Sequence, residues 1–381
     1  MDFEIPDEYQ QLVDVVRRFR EKELMPLEHH FLTQGRFTVE ERNAIDEKAR
    51  NAGLWALEAP TELGGQGLGQ LGMCLVLAEL WKHPAMYALG GNPEPALYAC
   101  NEDQRKRYLL PIIEGERKSC YAFTEPDAGS DMGGMRMTAT KDGDDWVLNG
   151  TKTFISKVDF ADFVIVFALT EPKLRSHGMS VFLVDMGTPG FSVSREIPTM
   201  GDDWDPCELS FVDCRISDAQ RLGELGEGKR LGAEQLSHGR LKIAAYQLGI
   251  AERCIEIAID WARERVTWGK KLATRQGIQF MIADSKVELE AARMLVYRAA
   301  WKTDAGMEHS QDDFIAKLYA TEMAQRVTDR CLQILGGIGY TTETPVQSFY
   351  RQVRLWRIGH GTAEIHRWMI ARDLLGPAAR D

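Results

Sequence analysis

Phe163-Val-Ile-Val-Phe167 and Met179-Ser-Val-Phe-Leu-Val184 are two short apolar runs rich in β-branched and aromatic residues. Runs of this length and composition read as strands rather than helices. Just upstream, Lys141-Asp-Gly-Asp-Asp145 separates two alternating segments and reads as the turn of a hairpin. Together these features place a block of strands over residues 119–225. On both sides of that block the period changes. Toward the N-terminus Leu12, Val15, Val16 and Phe19 recur at three- and four-residue spacing, which sets them on one helical face. Leu71 to Trp81 and Asp103 to Ile113 look helical too, and Pro26, Pro60 and Pro111 punctuate the segment. Toward the C-terminus three long helical stretches follow, Leu241 to Arg265, Ile278 to Thr303 and Asp312 to Leu335, which should pack as a bundle. The chain is expected to be mainly α with a β middle domain: helices over 1–118, an antiparallel sheet over 119–225, and a helical bundle over 226–381.

That order excludes a doubly wound nucleotide fold. Gly64-Gly-Gln-Gly-Leu-Gly69 looks superficially like a dinucleotide loop. Such a loop needs a preceding strand and an acidic residue at the end of the next one. The preceding Leu54-Trp-Ala-Leu-Glu-Ala-Pro60 is weak as a strand, so a glycine-rich surface turn is the better reading.

The balance of charge narrows the partners. The 381 residues include 46 Lys and Arg against 57 Asp and Glu, a net charge of -11, which argues against a nucleic-acid partner. No run of about 20 apolar residues occurs, so no membrane insertion is expected. Met1-Asp-Phe-Glu4 lacks a charged-then-apolar signal pattern, and a cytoplasmic location is expected. The seven cysteines are scattered without a Cys-x-x-Cys pair and read as buried free thiols. His360 and His366 do not share the i, i+4 face used for metal ligation, and no metal is expected.

Four separated segments carry chemistry. Tyr121-Ala-Phe-Thr-Glu-Pro-Asp-Ala-Gly-Ser-Asp131 runs from a strand into a turn of small residues and hydroxyls. Its backbone N–H groups, with Thr124 and Ser130, suit a flavin edge or a pyrophosphate. In Asn149-Gly-Thr-Lys-Thr-Phe-Ile-Ser156 a strand bears Phe154 and Ser156 two residues apart, on one face and able to meet one ring system. Arg263-Glu-Arg-Val-Thr-Trp-Gly269, followed by Gln276, puts arginine and an aromatic at a helix end, where they could clamp a diphosphate and stack on a base. Gln333-Ile-Leu-Gly-Gly-Ile-Gly-Tyr340 allows close backbone approach after a helix. Downstream, Arg357-Ile-Gly-His-Gly-Thr-Ala-Glu-Ile-His-Arg367 places His360 between glycines on a turn expected to be flexible, with Thr362 as the N-cap of the next helix.

In this order, and with Pro60-Thr-Glu-Leu-Gly-Gly-Gln-Gly67 ahead of them, the segments resemble the acyl-CoA dehydrogenase family over nearly the whole chain. The resemblance implies an N-terminal helical domain, a middle β domain and a C-terminal four-helix bundle. It implies non-covalent FAD and a homotetramer built as a dimer of dimers. By position it places Tyr121, Phe123 and Thr124 at the flavin ring, with Ser130 near the cofactor or the acyl-CoA. Phe154 and Ser156 would flank the flavin. Arg265, Trp268, Gln276, Gln333 and Gly337 would hold the pyrophosphate and adenosine, partly across a subunit interface. Thr362 and Glu364 would lie near the FAD, and Arg240 and Gly361 beside the substrate. An electron-transferring flavoprotein is the implied electron carrier.

The chain departs from the family where the reaction needs a base. Most relatives have Glu immediately before the Gly-Thr of the tail, and here that residue is His360. A subset carries Glu before the arginine that opens the long C-terminal helix, and here Gly239 precedes Arg240. A neutral imidazole with an ordinary pKa near 6.5 is a competent acceptor for the α-proton near neutral pH. Three readings compete. His360 acts as acid/base in α,β-dehydrogenation of an acyl-CoA, or in the reverse enoyl reduction. The fold instead carries out elimination or desulfination of a substituted acyl-CoA. Or the chain is a non-catalytic FAD-binding subunit of a hetero-oligomer. His238, close to Arg240, is a weaker candidate for the substrate site.

Overall fold

The computed structural model describes residues 4–202 and 205–379; residues 1–3 and 380–381, at the outer ends of the first and third expected domains, lie outside them. The N-terminal region holds helices α1 (Asp7–Phe19), α2 (Glu28–Gln34), α3 (Val39–Asn51) and α4 (Gln70–Leu80). A short turn α5 (Glu102–Gln104) then runs without a break through residues 105–109 into α6 (Leu110–Glu114). Thr38 and Glu41 make a reciprocal cap at the start of α3, with Thr38 Oγ1 accepting from Glu41 N at 3.2 Å and Glu41 Oε2 accepting from Thr38 N at 2.8 Å.

The middle region is an eight-stranded sheet of β1 (Ser119–Ala122), β2 (Thr138–Asp142), β3 (Asp145–Ile155), β4 (Phe163–Leu169), β5 (Met179–Asp185), β6 (Phe191–Glu196), β7 (Cys207–Ser217) and β8 (Arg221–Leu222). The order is β6-β7-β3-β2-β4-β5-β8, with β1 on β4. The hairpin expected around Lys141–Asp145 joins β2 to β3, with Asp142 opposite Asp145. The sheet is not wholly antiparallel: β1 pairs β4 in parallel, and Thr138 of β2 meets Leu169 of β4 the same way. A long crossover separates β1 from β4, and that length allows a parallel partner where a tight hairpin would not. Both faces of β4 and β5 are buried, which is why these two strands read as unbroken apolar runs.

The C-terminal region holds α7 (Gly228–Glu264), a small hairpin of β9 (Val266–Thr267) and β10 (Lys270–Lys271), α8 (Gln276–Asp304), α9 (Ser310–Leu335), α10 (Pro345–Trp356) and α11 (Ala363–Leu375). α7 begins thirteen residues before the apolar period becomes visible at Leu241. Its first half carries Gly228, Gly232 and Gly239, each costing about 1 kcal/mol of helix propensity relative to alanine, so propensity points away from a helix there. Tertiary packing overrides it.

The helical regions share one core. Residues of α1, α3 and α4 pack with α7, α8, α9 and α10 in a single cluster that includes Trp81, Leu248, Val296, Val327 and Phe349. Two polar ties reinforce it. Asp304, at the end of α8, accepts from the N–H groups of Gln70 and Leu71 at 2.6 and 2.9 Å and so caps α4. Glu58 pairs with His238 at 2.6 Å and with Lys242, one turn apart on α7. Burial alone would raise the Glu58 carboxyl, but Lys242 and His238 overcome it and hold the group well below the usual range.

Candidate functional site

His360 lies in the short link between α10 and α11. α10 closes with the N–H groups of Ile358 and Gly359 both donating to Leu355 O, at 2.8 and 2.9 Å. α11 opens with Thr362 as its N-cap, accepting from Ile365 N at 3.2 Å, as the sequence indicates. Only two residues, His360 and Gly361, remain to reverse the chain. His360 takes φ +54° and Gly361 φ +91°. A left-handed conformation at a non-glycine residue costs on the order of 1–3 kcal/mol, so the surroundings must enforce it. Lys317 of α9 does so. Its side chain is fully buried, and Nζ donates to Gly359 O at 2.7 Å and to Gly361 O at 2.6 Å. Burial, with Arg240 nearby, brings the Lys317 ammonium down to about 7. The turn expected to be flexible is therefore clamped on both sides of the histidine.

The imidazole faces α7. A Cβ built on Gly239 would stand 2.6 Å from His360 Nδ1 and 2.9 Å from Cε1. No side chain fits at 239 while the ring is there. The two positions that could carry a carboxylate base thus converge on one place, and a single imidazole fills it. The residue is exposed, so a ligand can reach it, yet protein crowds the ring. That crowding, with the cations of Lys317, Arg240 and Lys157, holds its pKa down to about 4 against the opposing charge of Glu94. At neutral pH the ring is an uncharged proton acceptor. Behind it His366 is buried, its Nε2 2.9 Å from where a Gly361 Cβ would be. The His366 ring packs on Phe314 at 5.5 Å, and the Arg240 guanidinium lies 4.2 Å over the same phenyl ring.

The first two chemistry-bearing segments come together. Thr153 N donates to Thr124 O at 2.9 Å. Lys152, fully buried, donates to Glu125 Oε1 at 2.8 Å and to Phe123 O at 3.0 Å, and Glu125 also accepts from the N–H groups of Arg136 and Met137. This ion pair fixes the loop after β1 against the end of β3. Phe154 adopts φ +58° and is 60% exposed, with exposed Ser156 two residues on. β3 ends at Ile155 and Phe154 is left-handed, so the two do not share a strand face as expected; the open aromatic, with half-buried Thr124 joined to the adjacent Thr153, still suits a flavin face. The side chains of Tyr121 and Phe123 turn instead into the core, with ring centroids 4.9 and 5.0 Å from Phe167. What these two residues could offer a cofactor is backbone. Ser130 is exposed on the loop, Gly361 and Thr362 are half-buried beside His360, and Glu364 is exposed on the first turn of α11.

The remaining residues gather elsewhere. α7, α8 and α9 succeed one another through short links, so the end of α7, the start of α8 and the end of α9 share one end of the bundle. Arg265 follows α7, Trp268 forms the β9–β10 turn with φ +47° and 92% exposure, and Gln276 opens α8. Gln333 and Gly337, also exposed, close α9, and a Cβ on Gly337 would meet nothing within 4 Å. From Gly239 to Arg265 the helix advances about 39 Å at 1.5 Å per residue. The structure does not bring these five residues to His360 within one chain.

Some participants were not singled out in the sequence. Lys317 left one signal, a lysine among Asp313, Ala316 and Ala320 on the buried face of α9, where an unpaired charge is rare. The contact of Gly239 with His360 joins residues 121 apart, two positions that the family resemblance singles out separately. His238 turns to Glu58 rather than to His360.

Comparison with known proteins identifies the family over all three regions. Models described as the N-terminal, middle and C-terminal domains of acyl-CoA dehydrogenase match residues 6–116, 120–214 and 226–375. Human mitochondrial short-chain specific acyl-CoA dehydrogenase is 36% identical over 379 residues, 98% of this chain and 91% of that protein. An acryloyl-CoA reductase (NADH) of Anaerotignum propionicum is 37% identical over 383 residues, 98% of this chain and 96% of its own length. The butyryl-CoA dehydrogenase structure from Megasphaera elsdenii superposes with a TM-score of 0.90 at 34% identity, covering 99% of this chain and all of that one.

Proposed function

This chain belongs to the acyl-CoA dehydrogenase family, and on that premise we propose that it is an FAD-dependent oxidoreductase acting between Cα and Cβ of an acyl-CoA thioester, with His360 as the group that takes the α-proton. The observation that carries this reading is the His360 ring seated against bare Gly239, so that one imidazole replaces both carboxylates. FAD, when bound, supplies the hydride acceptor, and Thr124, Phe154, Ser156 and the backbone of Tyr121 and Phe123 are the groups to hold its ring. Lys317 keeps the His360 turn in place. The ring, neutral at pH 7, accepts the α-proton and becomes an imidazolium beside the negative charge gathering on the thioester oxygen. In the reverse, enoyl-reducing direction the same imidazolium would return the proton to the α-carbon. Arg240, held over Phe314, and Gly361 border the substrate.

The same proposal includes the assembly. Arg265, Trp268, Gln276, Gln333 and Gly337 gather at the end of the bundle away from Gly239 and His360. They would serve the pyrophosphate and adenosine of FAD in a neighbouring subunit of a homotetramer. Phe280, Val287, Met294 and Trp301 recur every seven residues along α8 and are all exposed, which supports a helix face covered by another copy. The three-domain division at 118/119 and 225/226 belongs to this reading. So do the electron-transferring flavoprotein as acceptor and a cytoplasmic location; among the described residues no helix is long and apolar enough to cross a membrane.

The test is anaerobic titration of the yellow protein with a panel of CoA thioesters, following flavin absorbance and products together. Bleaching with appearance of the enoyl thioester is expected. Release of a leaving group without net flavin reduction would favour elimination instead, and no response to any thioester would overturn the enzymatic reading.

A further inference from the structure

Proton transfer leaves a second set of polar groups around the same cleft unused. α7 presents Gly232, Gln235 and Gly239 on one face, at steps of three and four residues. Gly239 lies under His360. At Gly232 an ideal Cβ would be 3.6 Å from the Tyr121 hydroxyl and 3.1 Å from the Phe123 ring. Between them Gln235 is 7% exposed; its Nε2 donates to the Glu94 carboxylate, while its Oε1 is buried without a hydrogen-bond partner. The Tyr121 hydroxyl is buried without a partner as well. Burial, and then the charge of Glu94, push that hydroxyl well above its ordinary value, so it stays protonated. Glu94 is half-buried, acts on His360 electrostatically, and with Lys157 lines a cavity of about 150 Å³ that continues past Asn92 and Ser119.

A buried polar atom left without a partner costs about 1–3 kcal/mol. Two such atoms near the Glu94 carboxylate, which itself lines the cavity, are groups waiting for a ligand's polar atoms. What the set offers is mostly acceptors, the Glu94 carboxylate and Gln235 Oε1, with the Tyr121 hydroxyl able to donate or accept. A matching ligand group must donate. A plain hydrocarbon would leave all three unmet, and a terminal carboxylate would meet the like charge of Glu94.

We propose, resting on the reading that this cleft binds an acyl-CoA thioester, that Glu94, Gln235 and Tyr121 form a subsite for a hydrogen-bond-donating substituent, a hydroxyl or amino group, on the acyl chain. The subsite selects among acyl groups, while His360 performs the proton transfer.

The experiment compares butyryl-CoA, 4-hydroxybutyryl-CoA and succinyl-CoA on the FAD-loaded protein, reading affinity from the flavin absorbance change and kcat/KM from turnover. The hydroxyacyl thioester is expected to exceed butyryl-CoA by at least about tenfold in kcat/KM, with succinyl-CoA weakest. In Glu94→Ala the hydroxybutyryl-to-butyryl ratio should fall toward one. The near-isosteric Tyr121→Phe, which preserves packing, should lower that ratio several-fold. A preference for butyryl-CoA or succinyl-CoA in the wild type overturns the subsite, as does a ratio unchanged in both variants. If butyryl-CoA bleaches the flavin but the hydroxyl brings no advantage, only the subsite fails. If none of the three thioesters perturbs the flavin, the thioester reading fails and takes the subsite with it.

Discussion

The link around His360 and the hairpin around Trp268 sit about one helix length apart on α7, and they are built in opposite ways. Both contain a non-glycine residue in the left-handed region, His360 at φ +54° and Trp268 at φ +47°. The first is enforced from within the chain: Lys317 grips the carbonyls on either side, and Gly239 leaves room for the ring. The second holds a 92% exposed tryptophan whose neighbour is the Arg275 guanidinium at 5.7 Å. One region is held by contacts within the chain, and the other leaves an aromatic and Arg265 exposed at the surface. On the proposed reading the chemistry belongs with the first, and a cofactor shared between subunits would belong with the second.

Several substitutions probe that contrast. Lys317→Met removes the grip on the His360 turn and should lower kcat about 100-fold, because a misplacement of about 1 Å at a reacting group costs that much. A merely structural lysine would not move a titration. Here loss of its cation should carry the acidic limb of the pH–rate profile upward from near 4 toward 6.5. An unshifted limb would show that Lys317 does not act through His360. Gly239→Ala should lower kcat about tenfold by displacing the ring, with the melting temperature kept or raised, since alanine gains about 1 kcal/mol of helix propensity. Activity and stability falling together would instead indicate general damage to α7. Trp268→Ala should leave the acidic limb where it is and cut retained FAD several-fold, most at low protein concentration where subunits separate. FAD content unchanged under dilution would count against a shared cofactor.

The smallest effect is on stability against pH. His83 and His366 are both held near 3, chiefly by burial. Below pH 6.5 the unfolded chain binds these protons and the folded chain does not, so stability should fall as pH drops from 6.5 toward 5. Each histidine contributes at most about 1.4 kcal/mol per pH unit. His366→Phe, which keeps an aromatic against Phe314, should flatten the slope by one histidine's share in urea titrations; an unchanged slope would show that His366 is not held neutral.

Much of the architecture was legible because it is periodic. Residues 163–167 and 179–184 are buried on both faces and look like it, and the ends of α8 and α9 fall within two residues of their expected limits. α7 hid its first half because Gly228, Gly232 and Gly239 are there for close approach to Met179, Phe123 and His360, contacts no local pattern contains. The parallel pairing of β1 was hidden for the same reason, since its partner lies some 40 residues away. At the site, the local strings around Thr124, Phe154 and His360 were readable as chemistry. Lys317 left only its place on the buried face of α9 and Gln235 left nothing, because each acts through a partner distant in sequence.

Whether His360 is the base can be read from hydrogen exchange at Cα of a CoA thioester in deuterated buffer, comparing the wild type with FAD-loaded His360→Ala. The expected result is exchange in the wild type and a loss of at least about 100-fold in the variant, with flavin content unchanged. Exchange at the wild-type rate in His360→Ala would contradict it and move the proton transfer to another group in the cleft.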